Sequence, residues 1–382
     1  MFSARSARDR TRNELAILLD DARQAGRTVL DLTESNPTRA GIPSPSAVAR
    51  ALRDPRSVHY DPSPFGLSIA REAVARTYRE ADVDVDPSAV VLTASTSEAY
   101  SFLFKLLCDH GDEVLVPQPS YPLLEHLARL EGVRLVPYAL IYDGEWYVDL
   151  GSLKGAIRDI TRAIVVVHPN NPTGSYLKQV ELSALAATGL PIVSDEVFAP
   201  YPLTDDPRRA RSALEAREAL VFALGGLSKM AALPQMKLAW LTVGGPSPLA
   251  REALERLELI SDAFLSVSTP VQVAAPALLA TRHVAGDAIR ARLAHNLAEV
   301  ARRVAGTAVS LLKVEGGWYA TLRLPRTESE EAWALTLLRE DGVYVHPGHF
   351  FDFASEAYAV TSLLTPEATF AEGIARLVAR AR

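Results

Sequence analysis

The sequence predicts an α/β protein with a mostly parallel seven-stranded sheet between helices in a large domain. A smaller α+β domain, assembled from the N- and C-terminal segments, is expected beside it. Three observations carry this. Seven short β-branched runs lie between residues 90 and 243, bounded by turn residues and mostly separated by helical patterns, which is how helix-covered parallel sheets read. A long helical stretch follows, and a mixed strand-and-helix pattern closes the chain. The length of 382 residues, with 48% hydrophobic and 23% charged residues, is enough for two cores of ordinary soluble composition.

The elements follow in order. Residues 9–25 read as an amphipathic helix with Leu15, Leu18, Leu19 and Ala22 on one face. LDLTESNPTRAGIP, from residue 30, is a strand running into a Pro/Gly-rich loop, and residues 67–80 form a helix after Gly66. The seven strands are VVLT (90–93), EVLV (113–116), VRLVPY (133–138), AIVVV (163–167), PIVSD (191–195), LVFAL (220–224) and KLAWLTV (237–243). Ser95-Thr96-Ser97-Glu98 has capping-box spacing and starts an apolar helix to about residue 108, and another helix starts at Pro122. Helix then runs from 248 to about 304 with a break near Ser268-Thr269-Pro270. WYATLRL (318–324), a helix at 328–340, VYVHP (343–347) and a last helix from Pro366 make the α+β part. The expected division is residues 1–50 with the small domain, 51–270 as the large domain and 271–382 as the rest of the small one.

Composition excludes some classes. A net charge of −6 argues against general attraction to nucleic acid. No apolar run approaches 18 residues, and the first residues lack the apolar core of a secretory signal. Cys108 is the one cysteine, so no disulfide forms within the chain, as expected in a reducing cytoplasm. Inside its apolar run it reads as a small buried hydrophobe.

Ligands of open parallel sheets bind outside the C-terminal ends of the strands. Ser95–Ser97, Asn171, Asp195 and Lys229 all fall at such ends. Lysine is scarce: six occur, at 105, 154, 178, 229, 237 and 313. Lys229 sits among small and apolar neighbours in LGGLSKMAAL, either a surface lysine or an amine whose pKa is lowered for nucleophilic use. Asp195 is a turn residue or the partner of a protonated ring nitrogen. Asn171, in the turn NNPTG, is a plain turn residue or a donor to a cofactor oxygen. Ser95, Thr96 and Ser97 pair hydroxyls with free N–H groups at a helix start, which suits both a cap and a phosphate. Tyr121 is a core aromatic or a ring that stacks on a flat ligand. No metal-ligand pattern is present.

The order and spacing of these pieces resemble the class I/II aminotransferase family, pyridoxal-phosphate (PLP) enzymes of fold type I. The matching pieces are SNPT (35–38), Tyr60 with FGLSIARE (65–72), TASTSEA (93–99), VPQPSYP (116–122), HPNNPTG (168–174), SDEVF (194–198), GGLSK (225–229), EGGWYA (315–320) and HPGHFF (346–351), spread over roughly residues 30–380. The resemblance implies that Lys229 carries PLP as a Schiff base and then shuttles protons. It implies Asp195 at the pyridine nitrogen, Asn171 at the ring oxygen and Tyr121 stacked on the ring. Ser95, Thr96, Ser97, Ser228 and Lys237 would surround the phosphate. Tyr60 would reach the phosphate of a neighbouring subunit, implying a homodimer with shared active sites. Asn36 would lie near the substrate. The implied reaction moves an amino group between an amino acid and a 2-oxo acid, in the cytoplasm, with neither nucleic acid nor membrane as partner. β-Elimination from a sulfur amino acid, or a synthase step, is the alternative on the same scaffold. A non-catalytic PLP-sensing regulator is a third, disfavoured because the short N-terminus leaves no space for a helix-turn-helix domain.

Three positions depart from the family pattern. Phe198 stands where a tyrosine is usual, and loses a hydrogen bond to the ring oxygen. Lys237 stands for an arginine, keeping the charge but not the planar fork. Val360 stands where an arginine grips the substrate carboxylate, and no Arg or Lys lies between Arg339 and Arg376. Carboxylate recognition would then fall to Arg39 or His349.

Overall fold

A computed structural model describes residues 2–6 and 11–382. The large sheet has eight strands, in the order Val90–Thr93, Ala239–Gly244, Val221–Gly226, Ile192–Asp195, Thr161–Val167, Glu113–Gln118, Arg134–Tyr142 and Trp146–Val148. Ala239–Gly244 is antiparallel to both its neighbours, and Trp146–Val148 pairs antiparallel with Arg134–Tyr142. The other strand pairs are parallel. All seven expected strands form. The added eighth is a three-residue return that covers an edge, where open backbone groups would otherwise invite pairing with another chain. Its sequence, WYV, is too short to show a period of two.

The central strands are buried along almost their whole length, as a sheet with helices on both faces requires. One apolar cluster joins helix Thr96–Leu107 to helices Leu123–Glu131 and Ser247–Asp262 on one face. Two others cover the sheet around Trp240 and around Tyr138. A separate cluster gathers residues from both chain ends, from Leu15 and Leu32 to Trp318, Leu322, Phe370 and Leu377. It underlies an antiparallel four-stranded sheet ordered Ser310–Leu311, Tyr319–Arg323, Tyr358–Ser362, His346–Pro347. Leu30–Asp31 pairs parallel with Val343–Tyr344, tying the N-terminal segment to this part.

Helix boundaries shift from expectation where caps decide them. The first helix begins at Glu14 rather than near 9, because Asn13 accepts the Ala16 N–H and ends the extended approach; residues 9 and 10 lie outside the described residues. The stretch 248–304 is three helices, Ser247–Asp262, Thr269–Ala280 and Arg282–Val304, with Pro270 in the first turn of the second. The helix expected at 328–340 starts at Glu330, capped by Ser329, and closes with a π turn over Leu337–Asp341. Among the described residues no helix is long and apolar enough to cross a membrane.

Candidate active site

A cavity of about 380 Å³ opens at the C-terminal ends of the strands that finish in Thr93, Val167, Asp195 and Gly226. Its lining brings together Ser95, Thr96, Ser97, Tyr121, Asn171, Asp195, Phe198, Ser228, Lys229 and Lys237, residues scattered over more than 140 positions of sequence.

Lys229 follows the strand Val221–Gly226, in the single helical turn Leu227–Met230. The two glycines before it are steric requirements. A Cβ on Gly225 would come within 2.6 Å of the Trp240 indole, and one on Gly226 within 3.2 Å of the Ala239 Cβ. With those side chains absent, the turn settles close against the neighbouring strand. Tyr201 Oη donates to the Lys229 carbonyl at 2.5 Å and fixes the turn. Nζ lies 4.8 Å from the centre of the Trp318 ring and 5.4 Å from that of Phe198. Among the described residues it has no carboxylate within 4 Å, and it lines the cavity. Burial pulls its pKa down to about 8, against the attraction of the Asp195 charge.

Asp195 ends the next strand. Val197 N–H donates to Oδ1 at 3.2 Å and Tyr100 Oη to Oδ2 at 3.3 Å. Burial pushes its pKa up to about 6, while those two bonds and Lys229 pull the other way. Near neutral pH the cavity therefore holds a carboxylate and an ammonium close to its titration point, too far apart to pair directly.

The helix Thr96–Leu107 points its N-terminus at the same space. Ser95 caps it, its Oγ accepting from Glu98 N–H at 3.1 Å, while Glu98 reaches back to Ala94 N–H at 2.7 Å. First-turn amides have no acceptor within their own helix and point outward. Lys237, in the left-handed region at φ 50°, stands beside them because Ala239 pairs with Thr93. Amides, hydroxyls and an ammonium at one place make a seat for a phosphate.

Asn171 is buried, and its Oδ1 has no hydrogen-bond partner in the chain. The loop that carries it is built by its neighbours: Asn170 Oδ1 accepts from Thr173 Oγ1 at 3.0 Å, and Lys178 Nζ pairs with buried Glu315 at 2.5 Å. Gly174, at φ 71°, lies so close to Gly316 that a Cβ would approach its carbonyl to 2.7 Å. Glu315 and Gly316 N–H both donate to the Gly174 carbonyl. This contact sets Trp318, two residues on, above Lys229. His168, at the start of the motif, is structural. Its Nδ1 accepts from Leu177 N–H, so Nε2–H donates to the Ala210 carbonyl, and burial pulls its pKa to about 3.

Four expected site residues stand elsewhere. Tyr60 is 74% exposed, over a shallow groove beside Ser266 and Gln272. Asn36 turns its Oδ1 onto Thr38 N–H and Oγ1. Arg39 is exposed and paired with Glu34 at 3.0 Å. His349 lies 3.4 Å from Glu330 and half in solvent. Val360 is buried in the strand Tyr358–Ser362, paired with Thr321 and His346.

Sequence reasoning missed Tyr100, Ser35, Ser120 and Tyr319, which also line the cavity. Tyr100 was legible: it lies four residues after Thr96, on the same helix face. Ser35 and Tyr319 come from distant segments, and no local pattern joins them.

A sequence model of the family described as "aminotransferase class I and II" matches residues 27–369. The chain belongs to that family. Among curated proteins, this aminotransferase is 27% identical over 347 residues to glutamate-pyruvate aminotransferase AlaA of Haemophilus influenzae, covering 87% of this chain and 85% of that one. It is 29% identical over 350 residues to an alanine aminotransferase of Mycobacterium bovis, covering 86% and 80%. Among solved structures, an alanine aminotransferase from Pyrococcus furiosus superposes with a TM-score of 0.90 at 24% identity, over 100% of this chain and 99% of that one, a likeness of fold. Aminotransferases of this family depend on PLP, and the reaction class of this enzyme is transamination of amino acids. Elimination or synthase chemistry is not favoured.

Proposed function

We propose that the cavity binds pyridoxal phosphate through Lys229 and passes an amino group from an amino acid to a 2-oxo acid. One observation carries this: a lysine whose ammonium is destabilised by burial shares a small cavity with a strand-end carboxylate and a capped helix N-terminus. The residues fit the group. Ser95, Thr96, Ser97, Ser228 and Lys237 would hold its phosphate, Tyr121 would cover the ring, and Asn171, with its orphaned Oδ1, would meet the ring oxygen through its amide. Phe198 offers no hydroxyl there and makes an edge contact with Trp318, with ring centres 5.3 Å apart.

When bound, the group supplies an aldehyde that condenses with amines and a ring that takes up electron density from the substrate α-carbon. Asp195 holds a proton on the ring nitrogen, for which a carboxylate in a dry site is suited. Lys229 would anchor the group and, once displaced, would take the α-proton on Nζ and deliver it to the carbon that had been the cofactor's aldehyde. A pKa of about 8 keeps the amine within reach of both protonation states near neutral pH. Trp318 and Phe198 exclude water above it.

The names of the similar enzymes support small amino and 2-oxo acids such as alanine, pyruvate and glutamate as substrates. The exposed side chains of Val58 and Tyr60 support a homodimer in which Tyr60 enters the second subunit's site. The cluster joining both chain ends supports a small domain built from the two termini, while Val48 and the helix Thr269–Ala280 pack with the large sheet, on the other side of the expected boundaries at 50 and 270. Unpaired Cys108 fits a cytoplasmic setting.

The test is a visible absorption band on adding PLP, borohydride reduction and peptide mapping. The expected result is one labelled peptide containing Lys229 and loss of turnover in Lys229→Ala. Label on another lysine, or full turnover in the variant, overturns the reading. Sedimentation velocity tests the dimer.

A further inference from the structure

The charged residues lining the cavity, among the described residues, are Asp195, Lys229 and Lys237. Lys237 belongs to the helix-start side, beside Ser95–Ser97. The side formed by the small sheet has no cation. Its polar groups are the Tyr319 phenol and the Ser35 hydroxyl, which line the cavity together. Tyr319 keeps its proton, since burial and the charges of Tyr121 and Glu34 push its pKa up to about 12. Arg39, four residues from Ser35, points its guanidinium to solvent and holds Glu34. The neighbouring strand presents buried, apolar Val360 two residues along from Ser362, the register partner of Tyr319. A carboxylate delivered to this side meets hydroxyls and the Asn171 amide.

We propose that the substrate carboxylate is held by these neutral donors, Ser35, Tyr319 and Asn171, without a guanidinium. It follows that α-amino amides enter the site nearly as well as α-amino acids. The inference rests on the aminotransferase reading of the cavity. Its physical basis is the difference between donor types. A bidentate guanidinium–carboxylate pair is charge-assisted on both sides, and replacing the acid by an amide strands a buried cation. Neutral donors lose only the charge on the acceptor, and an amide oxygen still accepts from them.

The experiment uses the PLP-loaded enzyme and calorimetry with two inert probes, 4-methylpentanoate and 4-methylpentanamide, whose branched chain suits the Leu123, Leu124 and Leu127 wall. Dissociation constants within roughly thirtyfold of each other are expected, against a thousandfold or more for a guanidinium clamp. Tyr319→Phe should weaken the acid about five- to tenfold, and Arg39→Ala should shift neither probe more than about threefold. A larger acid preference, no binding of the acid, or selective loss of acid binding in Arg39→Ala overturns the proposal. Half-reactions with L-leucine, L-alanine and L-glutamate, followed by absorbance, test the reading beneath it. If no amino acid donates while the two probes still bind alike, the reaction is wrong and the recognition stands.

Discussion

Two lysines, one buried and one half-buried, lie beyond the C-terminal ends of strands of the large sheet, and they do opposite things. Lys178 follows the strand Thr161–Val167 by eleven residues. It is 6% exposed, bonded to the Tyr176 carbonyl and paired with Glu315. Lys229 follows Val221–Gly226 and has neither a carboxylate nor a carbonyl, only two aromatic faces and an open cavity. Burial alone therefore does not make a lysine reactive. A partner turns the buried charge into a staple, whereas its absence leaves an amine that the fold would rather have neutral.

The largest effect that can break this contrast is on turnover. Lys229→Ala should cost roughly 10⁴-fold or more in kcat, because anchor and proton carrier go together, while circular dichroism stays unchanged. Lys178→Met should do the reverse. Stranding the Glu315 charge should lower unfolding free energy by about 3–5 kcal/mol in denaturant titration. Activity per folded molecule should remain within about tenfold of wild type, since only positioning is disturbed.

The next effect carries a sign that only the contrast explains. In PLP-free protein, Lys229→Met should stabilise the fold at pH 7 by about 1–3 kcal/mol. The folded-state pKa is below the unfolded one, so the unfolded chain binds the extra proton. The wild-type penalty is in full force below about pH 8 and fades as pH rises to 10.5. Melting both proteins at pH 7 and pH 10.5 checks it, and a gap that widens with pH would refute it.

The smallest effect concerns the carboxylate opposite. Tyr100→Phe removes a bond that lowers the Asp195 pKa. The acid limb of the activity profile should move to higher pH by a fraction of a unit, and turnover at pH 7 should fall about two- to fivefold.

The seven strands and most of the cavity were legible because each rests on a local signal. β-Branched runs end in Asp195, and glycines precede Lys229 where Trp240 and Ala239 leave no space for a side chain. What the sequence hid is what tertiary contact decides. Tyr319 and Ser35 meet only because Ser362, beside Tyr319 in the small sheet, bonds the Leu32 and Glu34 carbonyls of the N-terminal segment. The edge strand Trp146–Val148 is too short to carry a pattern. Asn36 sits in the matching motif SNPT and Arg39 directly after it, yet the turn at Thr38 and the charge of Glu34 claim their side chains. The arginine missing at 360 was visible in the sequence, but the hydroxyls facing that side of the cavity were not.

The backbone seam between Gly174 and Gly316 limits how this enzyme can open. Where two chains touch without side chains between them, neither can slide without breaking the paired amides on the Gly174 carbonyl. Asn171 and Trp318 therefore travel as one block. The lip beside Tyr121 is held by the Ser120 N–H on the Phe351 carbonyl, and opening there to admit a substrate would leave the Gly174 seam intact.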